Sequence, residues 1–210
     1  MILGMLRAMA LTGGEWVIYV LILCSVAAIA IMIERGIVFS RERKDLKAAS
    51  GAFAGYLEDR DAAKALKALE GLSGCAARVL SAGLSRAGQG SGPAESAMAA
   101  SASKEKRRLD LRMIILNTLG NNAIYIGLFG TVLGVIKAFH DLAHEVGAGP
   151  EVVMQGLSEA LLATAAGLLV AIPCVIAFNA YQKQIKDILA ETDSMAGILA
   201  SELKTAERPS

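Results

Sequence analysis

Three long runs without a charged residue decide what this chain can fold into. They comprise Trp16–Ile33, Met113–Ile136 and Ala160–Gln182, which are 18, 24 and 23 residues long. A helix needs about 20 apolar residues to cross the hydrocarbon core of a bilayer. The chain is also 54% hydrophobic, above the roughly 45–50% of a soluble domain. The sequence therefore predicts an all-α membrane protein with three transmembrane helices. The alternative is a soluble protein with three buried core helices.

The boundaries of the predicted segments follow from these runs. We place transmembrane helices at residues 16–39, 113–136 and 159–182, an N-terminal segment at 1–15, a large region at 40–112, a short loop at 137–158 and a C-terminal helix at 183–210. The large region combines strong helix formers with spaced leucines, as in Asp61–Glu70, which favours helix. A helix beginning near Ala94 is expected to run to about Ala143, because no proline interrupts it. Helical extensions outside the membrane are therefore predicted.

The distribution of basic residues predicts the orientation in the membrane. Of the 21 Lys and Arg residues, 15 lie in the segment from Glu34 to Arg112. The segment 137–158 contains only one, Lys137. Loops rich in Lys and Arg stay in the cytoplasm. The region 40–112 and the C-terminus are therefore predicted to be cytoplasmic, and the N-terminus and the loop 137–158 to lie outside. The net charge of +1 gives no bulk attraction to nucleic acid. The three uncharged runs make the lipid bilayer the first expected partner.

The second predicted span carries an unusual number of polar side chains. At 100° per residue, Asn117, Asn121, Ile124, Leu128 and Thr131 lie within about 40° of one direction. Polar groups at this depth face protein or water rather than lipid. The stripe therefore either lines a lumen or a partner, or makes ordinary hydrogen bonds between helices. Spacing alone does not separate these two interpretations.

Small residues follow the polar stripe on the same span. Gly127, Gly130 and Gly134 include the pattern Gly-xxx-Gly, which permits a close approach between helix backbones. The pattern predicts a tight packing surface on the second span.

Glu159 is the only acidic residue at the edge of the third span. A carboxylate at this depth costs energy unless it is partnered or protonated. The functional interpretation is an acid that handles protons or binds a partner. The alternative is an acid at a helix N-terminus, stabilised by the macrodipole with Ser158 as the cap. Thr164 lies five residues on, about 140° around an ideal helix, and so is not expected to share the face of Glu159.

Motifs for enzymatic chemistry are weak. His140 and His144 have the spacing of a zinc-protease pair, but Asp141 stands where a glutamate is needed, and no third ligand is evident. The sequence contains no phosphate-binding loop, dinucleotide fingerprint or nucleophile elbow. The three cysteines, Cys24, Cys75 and Cys174, are interpreted as small apolar residues. We therefore predict no enzyme, no cofactor and no metal; a metalloenzyme using the two histidines is the alternative.

Two longer motifs carry a resemblance to a known family. Gly127–Gly134 (GLFGTVLG) and Gly156–Pro173 (GLSEALLATAAGLLVAIP) resemble the MotA/TolQ/ExbB proton-channel family. The resemblance covers all three spans, their order and the large cytoplasmic region. The chain lacks the long cytoplasmic insertion of flagellar MotA, so the ExbB/TolQ branch is the better match.

The resemblance implies a specific assembly in the bacterial inner membrane. Members of the family form homopentamers around a pore lined by the second and third spans. A dimer of a single-span ExbD- or TolR-like partner occupies the pore, and a TonB- or TolA-like protein or a gliding-machinery protein receives the work. The orientation above then places the N-terminus in the periplasm.

The resemblance also implies roles for individual residues. Thr131, Glu159 and Thr164 match the functional threonines and the pore glutamate of the family. Asn117 and Asn121 join them as pore candidates, and the three glycines of the second span are expected to pack the oligomer. Ala163 supplies no hydroxyl ligand beside Thr164, which favours protons over sodium.

The expected function is that of a proton-channel or stator subunit, which converts the proton motive force into mechanical work on envelope processes. These are TonB-dependent transport, Tol–Pal maintenance or gliding motility. A membrane scaffold without ion conduction is the alternative.

Overall fold

The computed structural model describes residues 14–144 and 150–207, and all regular secondary structure in these residues is helical. The elements are α1 (Glu15–Asp59), α2 (Ala62–Leu69), α3 (Cys75–Leu84), a short 3-10 helix (Ala87–Gln89), α4 (Ser91–Asp110), α5 (Met113–His144) and α6 (Pro150–Ala206). Three helical segments are long and apolar enough to cross a membrane: Glu15–Asp59, Ser91–His144 and Pro150–Ala206. The predicted all-α architecture with three candidate spans is therefore confirmed. Residues 145–149 of the predicted outer loop lie outside the described residues.

One expectation about helix continuity is wrong. The sequence predicts a single helix from Ala94 to Ala143, but α4 ends at Asp110 and α5 begins at Met113. Between them Arg112 adopts a φ of 62°, in the left-handed region that few residues other than glycine occupy. Leu109 and Met113, on either side of the break, are both buried. Packing on both sides therefore overrides the local preference for a continuous helix.

The described residues divide into two compact units. The first comprises residues 14–33, 112–144 and 150–179, and contains the three uncharged runs except the last residues of the third. The second comprises residues 34–111 and 180–207. The helices α1 and α6 contribute residues to both units.

In the first unit, α5 and α6 approach each other through small residues. A Cβ added to Gly134 would lie 2.7 Å from the Cβ of Ala160, and a Cβ added to Gly120 would lie 3.2 Å from the Cβ of Cys174. The contacts pair early residues of α5 with late residues of α6, so the two helices are antiparallel. Only a hydrogen atom fits at these glycines, and backbone packing of this kind is typical of helices in lipid.

In the second unit, the N-terminus of α3 is capped by acidic side chains of α1. Glu42 Oε2 accepts a hydrogen bond of 2.9 Å from the backbone N–H of Cys75, and Asp45 Oδ2 accepts one of 3.1 Å from the N–H of Ser73. Carboxylates are favourable here, because the first N–H groups of a helix have no partner within it. The cap fixes the start of α3 against α1.

A buried charge network joins the same elements. Glu105, which is only 1% exposed, binds Arg78 and Arg108, and Arg108 also pairs with Glu42. Each of these two buried carboxylates therefore has a cationic partner, as a charge in this environment requires. Burial also raises the pKa of the Cys75 thiol from 9.0 to about 11.

Candidate functional site

The centre of the candidate site is a pair of threonines on facing helices. The hydroxyl of Thr131 on α5 forms a short hydrogen bond with the hydroxyl of Thr164 on α6. Both side chains are half-buried. The close approach of α5 and α6 makes the pair possible, because a Cβ on Gly127 would lie 3.2 Å from the Cα of Thr164.

The two hydroxyls share a set of backbone acceptors. The carbonyl oxygen of Gly127 lies 3.2 Å from Thr131 Oγ1 and 3.3 Å from Thr164 Oγ1, and the carbonyl oxygen of Ala160 lies 3.3 Å from Thr131 Oγ1. Each hydroxyl has one proton to donate and two lone pairs to offer. The two hydroxyl protons therefore have more than two acceptors available: the two hydroxyl oxygens and the two backbone carbonyl oxygens. The pair can reverse the direction of its hydrogen bonds without moving a heavy atom.

Glu159 lies on α6, five positions before Thr164, and faces a different direction. Ala160, whose carbonyl Thr131 approaches, directly follows Glu159 in the chain. The Glu159 side chain is exposed in the single chain, and Glu159 Oε1 accepts a hydrogen bond of 3.3 Å from Gln155 Nε2. Glu159 is therefore linked to the threonine pair through the backbone of Ala160, and its carboxyl group bonds to Gln155 instead.

The structure excludes the helix-terminal interpretation of Glu159. Helix α6 begins at Pro150, and Ser158 lies more than two turns inside it. Ser158 is therefore not an N-cap, and the macrodipole, whose effect falls off within the first turn, does not account for the acid. That alternative is wrong because the helix extends beyond the uncharged run.

Glu159 lines a cleft of about 610 Å³ within the first unit. Four of its lining side chains are charged: Glu15, Lys137, Asp141 and Glu159. A cleft of this size and polarity has room for water molecules with several polar partners each. The cleft therefore has room for water next to Glu159, and its lining residue Ala160 connects it to Thr131.

The two asparagines of the predicted stripe bond to each other on α5, and Asn121 is exposed while Asn117 is half-buried. Asn121 Nδ2 donates a hydrogen bond of 3.0 Å to Asn117 Oδ1, and Asn121, Ile124 and Leu128 are exposed in the single chain. Thr131, at the end of the stripe, hydrogen-bonds to α6. The stripe is therefore exposed in its middle and half-buried at both ends, at Asn117 and Thr131.

The glycines of the second span pack within the chain. A Cβ added to Gly127 would lie 2.8 Å from the carbonyl oxygen of Ala163, and a Cβ added to Gly130 would lie 2.8 Å from the Cβ of the same alanine. A Cβ added to Gly134 would lie 2.7 Å from the Cβ of Ala160. All three glycines therefore allow α5 to pack closely on α6 of the same chain. Their predicted role in packing the oligomer stays a prediction.

Sequence reasoning missed the partners of these glycines on α6. They are the small residues Ala160, Ala163 and Gly167, and Gly156, four positions before Ala160, packs on Ala138 of α5 in the same way. The spacing of three or four positions between these residues of α6 places them on one face of a helix. A search for small residues on the third span would have found them.

The two histidines interact with each other and with their own helix. Their rings stack at 4.1 Å between centroids, and His144 Nδ1 lies 2.9 Å from the carbonyl oxygen of His140. The part of the chain that the structure describes contains no group of three His, Cys, Asp or Glu residues able to hold a metal ion. The pair therefore lacks a third ligand there.

The described residues contain three helical segments able to span a membrane, two of which are joined by a pair of hydroxyl groups, and this defines a multi-pass membrane protein. The model of the MotA/TolQ/ExbB proton channel family matches residues 72–194, more than half of the chain, and the chain belongs to that family. The matched segment contains Thr131, Glu159 and Thr164.

Curated relatives identify the branch of the family. The chain is 36% identical over 115 residues to the Tol-Pal system protein TolQ of Pseudomonas aeruginosa, covering 53% of this chain and 50% of that protein. It is 46% identical over 85 residues to the biopolymer transport protein ExbB of Helicobacter pylori, covering 40% of this chain and 58% of that protein. The chain thus spans between half and two thirds of these two relatives, and they support the ExbB/TolQ branch.

Proposed function

We propose that this chain is the proton-channel subunit of an inner-membrane motor that converts the proton motive force into mechanical work on the cell envelope. The observation that carries the proposal is the hydrogen-bonded pair of Thr131 and Thr164, which Ala160 connects to the cleft that Glu159 lines. Family membership and the TolQ and ExbB relatives support the same function.

In this mechanism Glu159 accepts a proton from the cleft and later releases it. The threonine hydroxyls reverse their hydrogen bonds as the charge beside them changes. One proton that crosses 100 mV delivers about 2.3 kcal/mol. That energy exceeds the roughly 0.5–1.5 kcal/mol of a typical hydrogen bond, so each transfer is sufficient to change a local contact.

The proposed assembly is a homopentamer with a dimer of a single-span ExbD- or TolR-like partner in its pore. Asn121 is exposed on the single chain and Asn117, to which it bonds, is half-buried, so this pair is available to line that pore. A TonB- or TolA-like protein, or a component of a gliding machine, receives the work. The motor uses protons rather than sodium, because the buried Ala163 offers no hydroxyl ligand beside Thr164.

The proposed orientation places the N-terminus in the periplasm, and residues 40–112 and the C-terminus in the cytoplasm. Gly88 suits a labelling test because it is exposed and a Cβ there would meet no atom within 4 Å. In a cysteine-free background, Gly88→Cys should react with a membrane-impermeant maleimide only after the cells are lysed. Labelling in intact cells would contradict this orientation and indicate the opposite one.

The substitution Glu159→Gln tests the proposed function most sharply. It keeps the size of the side chain and its hydrogen bonds but removes the ability to ionise. We expect loss of motor-dependent growth in a strain that lacks the gene, with normal expression and oligomer mass. The matched control is Glu151→Gln, which removes an exposed acid from the first turn of the same helix. It should leave function unchanged.

Full function of the Glu159→Gln variant would refute the role of this residue. The scaffold interpretation would then stand, because a scaffold needs no ionisable group at this position. Equal loss in both variants would show a general need for negative charge on α6, and would also contradict a specific role of Glu159.

A further inference from the structure

A second cleft, of about 370 Å³, lies within the second unit. Its lining residues come from α1 and α6: Gly36, Ser40, Arg43, Lys44, Tyr181 and Gln184. The four residues of α1 are spaced i, i+4, i+7 and i+8, which places them on one face of the helix. The Tyr181 ring forms a fixed wall because it stacks on Phe39 at 5.2 Å between centroids.

The charge of this cleft is positive and uncompensated. Arg43 and Lys44 are both exposed, and neither forms an ion pair with another of the residues described. No acidic residue in the described part of the chain lines the cleft. Two adjacent cations without a carboxylate favour an anionic ligand, and an arginine favours a phosphate in particular.

A buried polar atom at the same place lacks a partner. Gln184 Oε1 is buried and accepts no hydrogen bond from the described residues. Such an atom costs free energy unless a donor reaches it. This oxygen is shielded from solvent, so the polar side chains that a ligand in the cleft can contact are the exposed Ser40, Arg43 and Lys44.

The position of these residues along the chain fits the headgroup layer of a membrane. The predicted first span ends at residue 39, and Ser40 to Lys44 follow it within about 8 Å at 1.5 Å per residue. Tyr181 lies at the end of the third uncharged run. The polar layer of a bilayer extends roughly 5–8 Å beyond the hydrocarbon on each side. A phospholipid headgroup is therefore within reach of the cleft.

We propose that this cleft binds the headgroup of an anionic phospholipid. Arg43 and Lys44 contact the phosphate. Ser40 and Gly36 leave the space that the headgroup occupies. The site is independent of the threonine pair and of Glu159.

Native mass spectrometry of the purified full-length protein, titrated with phosphatidylglycerol, tests the proposal. The variant Arg43→Gln/Lys44→Gln should retain the lipid roughly tenfold less than the wild type. The control Arg41→Gln/Lys47→Gln removes the same charge from the same helix, outside the cleft lining. It should retain the lipid as the wild type does. Species of wild-type oligomer mass are compared, so that misfolded protein does not contribute.

A second variant changes the cleft without changing its charge. Ser40→Phe places a ring in the cleft from an exposed position and should also lower retention. Equal loss in the control pair, or full retention in Arg43→Gln/Lys44→Gln, would overturn the proposal. Displacement of the lipid by millimolar inorganic phosphate would also overturn it, because the ligand would then be free phosphate. Equal retention of phosphatidylethanolamine would contradict the choice of an anionic headgroup.

Discussion

The hydroxyls of Thr131 and Thr164 hydrogen-bond directly to each other, although 33 positions separate them in the chain. Both also approach the carbonyl oxygen of Gly127. Each hydroxyl therefore has its geometry set by the other and by one shared acceptor. The two threonines reverse their hydrogen bonds together and therefore work as a unit. Loss of either hydroxyl removes this unit.

We expect Thr131→Val and Thr164→Val each to abolish most of the motor function while the oligomer still assembles. Valine keeps the shape of threonine and removes one hydrogen-bonding group, which costs about 0.5–1.5 kcal/mol of stability. The double variant should be no worse than either single variant, because both remove the same unit. Growth complementation and oligomer mass measure the two effects.

The matched control for the threonine pair is Thr118→Val. Thr118 is exposed, and its hydroxyl bonds to the carbonyl oxygen of Ile114 on its own helix, at 2.8 Å. This variant should keep full function. Additive losses in the Thr131→Val/Thr164→Val double variant would contradict a single unit and indicate two independent sites.

The thiol of Cys75 provides a prediction about pH. Burial raises its pKa from 9.0 to about 11, so the folded state holds this proton more tightly than the unfolded state. Its contribution to stability is present below pH 9 and is lost as the pH rises from about 9 to 11. In a Cys24→Ala/Cys174→Ala background, the free energy of unfolding should fall across this window, and a maleimide should label Cys75 only after unfolding.

The variant Cys75→Ala in the same background is the control for this prediction. It should show a smaller decrease in stability between about pH 9 and 11, since the titrating thiol is gone. Identical pH profiles of the two proteins would show that Cys75 does not contribute. Rapid labelling of the native protein near neutral pH would show that the thiol is accessible.

Long, uniform features of the sequence predicted the fold well. The uncharged runs identified three helices, since the length needed to cross a bilayer is fixed by the rise per residue. The motifs identified Thr131, Glu159 and Thr164 as candidates. Periodicity did not predict that the two threonines meet, because their contact depends on the register between α5 and α6.

Features that depend on tertiary packing could not be predicted from the sequence. No proline or glycine marks the break at Arg112 in the sequence. The break lies between Leu109 and Met113, which are both buried. The uncharged run placed the start of the third span beside Ser158, whereas α6 begins at Pro150. The distribution of charges does not reveal this earlier start. Each cleft is lined by residues that lie far apart in the chain, so no local pattern encodes it.

The contact between Gly134 and Ala160 gives the last prediction. An added Cβ on Gly134 would lie 2.7 Å from the Cβ of Ala160 and 3.1 Å from its Cα. Gly134→Ala should therefore destabilise the protein by about 1–3 kcal/mol, the usual cost of overpacking. The second substitution Ala160→Gly removes the closest atom and should restore most of the melting temperature. By contrast, Gly55→Ala on α1 meets no atom within 4 Å and should be neutral or stabilising.

Co-expression of the two single variants separates packing within a subunit from packing between subunits. Suppose that Gly134 and Ala160 touch only within one chain. In a mixture of Gly134→Ala and Ala160→Gly subunits no chain carries both substitutions, so the overpacked contact of the Gly134→Ala chains is not relieved. The mixed oligomer should then be no more stable than the average of the two single variants, whereas the double variant in one chain is rescued. A mixture as stable as the double variant would mean that the glycine packs against a neighbouring subunit, as the oligomer-packing prediction requires.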